Sequence, residues 1–277
     1  MSKYVVAVSG GVDSVVLLDM FAQIPGRDII VAHFDHGIRP DSSEDALFVG
    51  TLAAQYGFPF EIVREELGPN ASEERARTRR YAFLRGLAKK HDAQIVTAHH
   101  ADDAVETIAI NLHRGTGWRG LAVLDSDISR PLMTSTKADL IEYARRRNLT
   151  WREDSTNATD VYLRNRLRRD IVGLTTDQKQ QLLALRAQQL ESKKHIDTEV
   201  RRLIGDGPRY SRYFFMHIPK NVAIECLRSI TGAKLTRPQL ERALIAIKTA
   251  HAKSLYHAGA GLTIEFTTRN FSLSLLK

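Results

Sequence analysis

The chain has 277 residues, a net charge of +8 and a single cysteine. Its size and balanced apolar and charged content fit one large globular domain or two smaller ones, and no segment approaches the ~20 consecutive apolar residues of a membrane span. The lone Cys226 excludes a disulfide framework or a Cys-x-x-Cys site within the chain, while the basic surplus points to a polyanionic partner. Met1-Ser2-Lys3 runs directly into an apolar segment, so no signal peptide and a cytoplasmic location are expected.

Tyr4–Val8 reads as a buried strand, and Val15–Phe21 as the helix that follows it. A second β-branched strand is expected over Asp28–Phe34, ending at Asp35-His36-Gly37. Glu44–Tyr56 has helical periodicity and Phe58–Val63 reads as a third strand. Ser72 and its neighbours offer caps for an arginine-rich helix that runs to about His91. Gln94–Ala98 is the next strand, leading through His99-His100 into a helix that ends near His113. The loop Arg114–Gly120 is basic and glycine-rich. Ile128–Leu132 reads as a short final strand and Lys137–Arg147 as a helix. Strands alternating with helices imply an α/β fold with a doubly wound parallel sheet, whose ligands bind beyond the carboxyl ends of the strands. From Thr176 the pattern changes. A long helix is expected over Thr176–Ile204, stopped by Gly205-Asp206-Gly207-Pro208. Val222–Thr231 and Arg237–Lys248 read as helices, and Leu262–Leu276 as a hairpin or terminal strand. The expected division is therefore 1–175 and a smaller, mostly helical domain over 176–277.

Ser9-Gly10-Gly11-Val12-Asp13-Ser14 sits between the first strand and the first helix. Paired glycines allow positive φ and close approach of an anion, and the first amides of the helix point at it. Without a lysine after the glycines this is not a Walker A loop. Asp13, an acid in an anion site, works through a cation or caps the helix. Asp35, at the end of the second strand, can accept from a ribose or adenine, or hold a metal. His99, Asp102, Asp103 and Glu106 gather at a strand-to-helix junction. They suit either a divalent metal on a phosphate substrate or helix capping. Arg114 can reach a phosphate as an electrophilic clamp. Arg164 and Arg168, in the stretch after Glu153-Asp154-Ser155-Thr156-Asn157, suit phosphate recognition beside Trp151 and Tyr162.

The order Ser-Gly-Gly-x-Asp-Ser after a first strand resembles the PP-loop of ATP pyrophosphatases, which have the adenine nucleotide alpha-hydrolase-like fold. The wider set is similar to the tRNA-isoleucine lysidine synthetase family, in its shorter form. That set comprises His33-x-Asp35-His36-Gly37, Ala76-Arg77-x-x-Arg80-Tyr81, His99-His100-x-Asp102-Asp103-x-x-Glu106-Thr107 and Asn111-Leu112-x-Arg114-Gly115. It closes with Arg130-Pro131-Leu132, the Glu153–Asn157 block and Tyr162-x-Arg164-Asn165-x-x-Arg168. The resemblance implies that Mg-ATP adenylates the wobble cytidine of the isoleucine tRNA with a CAU anticodon. Free L-lysine then displaces AMP to give lysidine. It implies ATP binding by Ser9, Gly10, Gly11, Val12, Asp13 and Ser14, and catalytic roles for Asp13, Asp35 and Arg114. Lysine or metal handling falls to Asp102, Asp103, Glu106 or His99, and tRNA contacts to Arg77, Arg80, Arg164 and Arg168. The 176–277 region would help to hold the tRNA. Lys137 stands where the family commonly has arginine, and no role is assigned to it. Oligomeric state is left open between monomer and homodimer. The rivals are a PP-loop sulfur transferase, disfavoured by the lack of paired cysteines, an amide ligase, and a non-catalytic RNA-binding relative.

Overall fold

The computed structural model describes residues 2–37, 42–68, 71–153, 173–205 and 207–275. The chain divides into two compact units, Met1–Gln189 and Leu190–Lys277.

The first unit is built on four parallel strands in the order β3-β2-β1-β4: β1 Ser2–Ala7, β2 Arg27–Asp35, β3 Phe60–Arg64 and β4 Gln94–Val96. Side chains alternate across the sheet, so each face has its own core. Val6, Val31 and Val96 pack with helix α1 (Val12–Ala22), helix α2 (Ser42–Gln55) and helix α5 (Lys137–Arg146). Val5, Ile30, Ala32 and Ile95 pack with Tyr81, Leu84 and Leu87 of helix α3 (Glu73–His91). Helix α1 is buried on nearly every side, including its one interior acid. That acid, Asp19, accepts from Tyr56 and Tyr143 hydroxyls, each at 2.7 Å, and from Gln23 at 2.7 Å, with Arg147 at 3.3 Å. A buried carboxylate needs such partners, and these come from three separate segments.

Helix α4 (Ala101–His113) follows β4. The expected strand at Ile128–Leu132 is reduced to one parallel bridge, Val96 to Ser129. Pro131 has no amide for a ladder and instead opens a 3-10 turn over Pro131–Thr134. The long helix α6 spans Thr176–Ile204, as the sequence pattern predicts, and Gly205 ends it at φ +66°. The geometric division falls inside α6 because its first turns are fixed to the first unit. Leu182 and Leu183 pack on the cluster of Ala104, Ile108 and Val123, and Arg186 donates to the Val123 carbonyl.

The second unit combines the rest of α6 with helices α7 (Arg212–His217), α8 (Lys220–Ile230) and α9 (Arg237–Thr249). The expected terminal hairpin is part of a larger antiparallel sheet. It has the order β5-β8-β7-β6, with β5 Arg209–Ser211, β6 Leu255–Gly259, β7 Leu262–Phe266 and β8 Asn270–Leu275. Buried Arg212 donates to three carbonyls, of Ile247 (2.8 Å), Ala250 (2.7 Å) and Thr267 (3.1 Å), so its charge is shared among the last turn of α9 and the β7–β8 turn. Among the described residues no helix is long and apolar enough to cross a membrane.

Candidate active site

The turn from β1 to α1 is shaped by two glycines with different duties. Gly10 takes φ +96°, a region that L side chains rarely adopt, whereas Gly11 is extended (φ −71°, ψ 159°) and caps α1 without a side chain. The amides of Val12 and Asp13 open the helix and have no partner earlier in it. Ser14, buried, staples the loop: its hydroxyl accepts from the amides of Ser9 (3.1 Å) and Gly10 (3.2 Å) and donates to the Gly11 carbonyl (2.8 Å). That uses the proton and both lone pairs of one hydroxyl. Ser9 is the exposed hydroxyl of the loop. The Arg152 amide donates to the Gly10 carbonyl at 2.9 Å, while its guanidinium pairs with Asp45 and Glu44 of α2.

The strand order places the topological switch point between β1 and β4, where an open α/β sheet leaves a crevice at the carboxyl ends. A cavity of about 550 Å³ opens there, lined by Ser9, Gly11, Asp13 and Ser14, by His33, Asp35 and His36, and by Arg77, Arg80, His99 and Asp103. Val12 is buried and, like Gly10, is not among the lining residues; Gly10 turns its Cβ direction towards Phe48, Val49 and Arg152.

Asp35 is buried at the end of β2. Burial works to raise its pKa, but the Gly37 amide (2.9 Å) and Arg64 (3.0 Å) prevail and hold it below the usual carboxylate range. His33 Nδ1 lies 2.8 Å from the Val8 carbonyl. A carbonyl only accepts, so Nδ1 carries a proton and donates. His99, 2.9 Å from the Thr97 hydroxyl, is pushed down to about 4, first by burial and then by Arg130, Arg80 and Arg77, against the pull of Asp103. It is a neutral imidazole at physiological pH.

The start of α4 separates its two adjacent acids. Asp103 lines the cavity and accepts from the His100 amide at 2.9 Å, forming a capping box. Asp102 turns to the neighbouring helices: it accepts from the Lys137 amide at 2.8 Å and from the Lys179 ammonium at 3.0 Å. Those contacts outweigh its burial and lower its pKa. Lys137, the first residue of α5, sends its ammonium to both carboxylate oxygens of Asp13, at 2.8 and 2.9 Å. A cation at a helix N-terminus opposes the helix dipole, and the carboxylates of Asp13 and Asp102 compensate.

The structure thus brings Ser9, Gly11, Asp13, Ser14, Asp35, His99, Asp103, Arg77 and Arg80 to one cavity. It does not bring Asp102, Glu106 or Arg114 there. Glu106 is buried further along α4. Arg114 is exposed as the C-cap of the 13-residue α4, roughly 20 Å along the helix axis from its first turn. Arg164 and Arg168 lie outside the described residues. Sequence reasoning missed Lys137 and Arg152. For Lys137 a signal existed, a cation beginning a helix, whereas Arg152 reaches Gly10 across 142 positions without any local signature. Among the described residues no group of three or more His, Cys, Asp or Glu side chains is placed to hold a metal ion.

The family described as the PP-loop domain matches residues 1–175. The chain is 40% identical over 177 residues to a tRNA(Ile)-lysidine synthase of Solibacter usitatus, covering 62% of this chain and 40% of that protein. To a protein of the same name from Thermus thermophilus it is 42% identical over 172 residues, 59% of this chain and 34% of the relative. The match to a Bacillus cereus protein of that name is 40% over 190 residues, 62% and 40% of the two chains. The matches therefore span about 40% or less of the length of these curated relatives. Among solved structures, the U34-tRNA thiolase NcsA from Methanococcus maripaludis, with its [4Fe-4S] cluster, aligns with a TM-score of 0.59. That likeness, at 17% identity over 70% of this chain and 73% of the other, concerns the fold.

Proposed function

The chain belongs to the PP-loop domain family, and from that premise we propose that it uses ATP to join free lysine to C2 of the wobble cytidine of isoleucine tRNA. The observation that carries this reading is the cavity at the switch point. It combines residues of the Ser9–Ser14 loop with buried Asp35, half-buried Asp13 and Asp103, and three arginines, Arg77, Arg80 and Arg152, within the region shared with relatives named for that reaction.

In this reading the first amides of α1 and the Ser9 hydroxyl receive the phosphates of ATP. The cytosine O2 attacks the α-phosphorus, the bond from that phosphorus to the β-phosphate bridging oxygen breaks, and pyrophosphate leaves with the electron pair. Lysine then attacks C2 through its amine and AMP departs. Arg77 and Arg80 line the cavity and are placed to neutralise charge on the α-phosphate. Asp35, ionised beside Arg64, provides a carboxylate for the lysine ammonium or the ribose. His99, held neutral with a pKa of about 4, is a poor proton acceptor but can take part in hydrogen bonding to the substrate, and the proton lost as the amine adds passes to solvent. Arg114, exposed at the other end of α4, is assigned to a tRNA phosphate in this reading. Mg²⁺ needs no three-residue nest here: it takes one or two carboxylates with phosphate oxygens and water. Asp13 and Asp103 are the carboxylates available beside the loop, and the ion would neutralise phosphate charge. Residues 176–277 are assigned to holding the tRNA body. The segment Leu190–Lys277 holds 15 lysines and arginines against 7 acids, a surplus equal to the net charge of the whole chain.

Sulfur transfer fits poorly. The only cysteine in the sequence, Cys226, is buried in the second unit, with its thiol pushed up to about 11 chiefly by burial, the opposite of a reactive thiolate. The deciding experiment is incorporation of radiolabelled lysine into isoleucine tRNA with the CAU anticodon, with methionine tRNA as control. Label in the isoleucine tRNA alone supports the reading. Cleavage of ATP to AMP and pyrophosphate without label would move the acceptor elsewhere.

A further inference from the structure

The Lys137 ammonium lies on both oxygens of Asp13, the acid inside the glycine-rich loop, and not on a surface partner. Two features show that this cation is deliberately positioned. Its backbone amide is fixed by Asp102, which is itself anchored by Lys179, so the backbone from which the Lys137 side chain springs is tied to α4 and α6 as well as α5. Its capping box, Thr136 with Asp139, leaves the side chain no part in capping α5. The side chain remains 44% exposed and that of Asp13 28% exposed, so the pair borders solvent rather than a sealed core. An ion pair at such a place has little net worth for stability. A lysine is a flexible point charge that can exchange one anion for another.

We propose that Lys137 is the cation that receives the leaving pyrophosphate. This rests on the ATP-cleaving reading above. The Asp13 carboxylate holds the ammonium beside the loop. When a triphosphate occupies the loop, the ammonium transfers from Asp13, which lines the cavity, to the β- and γ-phosphate oxygens, a stronger anion. As the α-phosphorus bonds to the acceptor oxygen, the electron pair of the broken bond settles on pyrophosphate, where Lys137 neutralises it. Asp13, released from the lysine, would be one carboxylate able to hold a magnesium ion bound with the phosphates.

The test compares the full chain with Lys137→Met and Lys137→Arg, titrating inorganic pyrophosphate and AMP separately by calorimetry with Mg²⁺ present. Loss of one charge-assisted contact predicts pyrophosphate binding about 10- to 100-fold weaker in Lys137→Met. AMP binding should stay within about twofold on the same scale, and Lys137→Arg should recover most of the loss. AMP binding also reports that the variant is folded. Equal weakening of pyrophosphate and AMP, or failure of arginine to rescue, would show a structural staple and overturn the proposal. Unchanged pyrophosphate binding in Lys137→Met would overturn it too, with the ATP reading intact. If the unmodified chain bound neither pyrophosphate nor ATP, the ATP reading itself would fall, and the proposal with it.

Discussion

Replacing each loop glycine by alanine separates backbone strain from site geometry. At Gly10 there is room: an added Cβ would meet Phe48, Val49 and Arg152 at 3.5, 3.6 and 3.7 Å, ordinary contact distances. The cost of Gly10→Ala is therefore conformational, arising from φ +96°. Such a φ costs an L side chain about 1–3 kcal/mol, while alanine recovers ~0.4–1 kcal/mol by restricting the unfolded chain. The net loss is about 1–2 kcal/mol, a fall in Tm of roughly 2–8 °C for a unit of this size. Gly11 is extended, and its Cβ would meet only Ser9 Oγ at 3.7 Å. There the unfolded-state gain offsets the weaker cap, so stability should change by less than about 0.5 kcal/mol. Because Gly11 lines the cavity, its methyl group occupies space a phosphate would take, so Gly11→Ala should weaken ATP binding without lowering Tm. Thermal melting with ATP titration on both variants checks this. A Gly11→Ala protein that melts below Gly10→Ala would refute the division of roles.

Asp19→Asn should destabilise the first unit by about 3 kcal/mol at pH 7, since it removes a buried charge that satisfies two phenols and Arg147. Burial raises the Asp19 pKa, but its hydrogen bonds outweigh that and lower it. Its contribution is therefore full above an unfolded carboxylate pKa of ~4 and is lost as pH falls below it. Urea melts from pH 7 to pH 3 should show the gap between wild type and variant closing. His99 should titrate near 4 by NMR. Unfolded histidine takes its proton near ~6.5, so His99 adds stability that falls as pH drops from there towards 4, and Arg80→Met should raise its pKa. Neutralising exposed Lys234, Arg242 and Lys248 should flatten the salt dependence of tRNA affinity by ~0.7–0.9 per lost phosphate contact, leaving the KM for ATP unchanged. An unchanged slope would remove these residues from the tRNA surface.

Local periodicity made the parallel sheet legible, because β1 and β2 are apolar on both faces and α1 follows a paired glycine at once. Helix α6 was readable end to end since Gly205 supplies the positive φ that stops it. The Ile128–Leu132 segment misled because apolar flanks look like a strand, although Pro131 cannot extend a ladder. Site assembly was readable only where residues sit at strand ends: Asp35 closes β2, Ser9 and His99 lie just beyond β1 and β4, and all three line one cavity. Asp102 and Asp103 are adjacent in sequence but serve different partners, because consecutive helix positions diverge by about 100°, and no spacing rule assigns which one turns inward. Arg114 looked near the site because it follows the motif closely, yet thirteen helical residues convert that proximity into distance.

The two units differ in how they use charge. Residues 1–189 contain 25 basic and 25 acidic side chains, whereas 190–277 carry the whole surplus of +8. In the first unit four arginines are committed nearby: Arg64 to Asp35, Arg79 to Glu65, Arg147 to Asp19 and Arg152 to Asp45. Paired in this way, they set local geometry and contribute little field at a distance. On the proposed function, attraction of a long polyanion would arise chiefly from the second unit, which carries the net charge. A compact phosphate ligand is held instead by short contacts with amides and a few cations. Those short contacts are screened far less by salt than a diffuse basic surface is. Raising ionic strength should therefore weaken tRNA binding steeply while ATP binding changes little. That separation follows from where the charges sit, whichever individual lysines and arginines make the contacts.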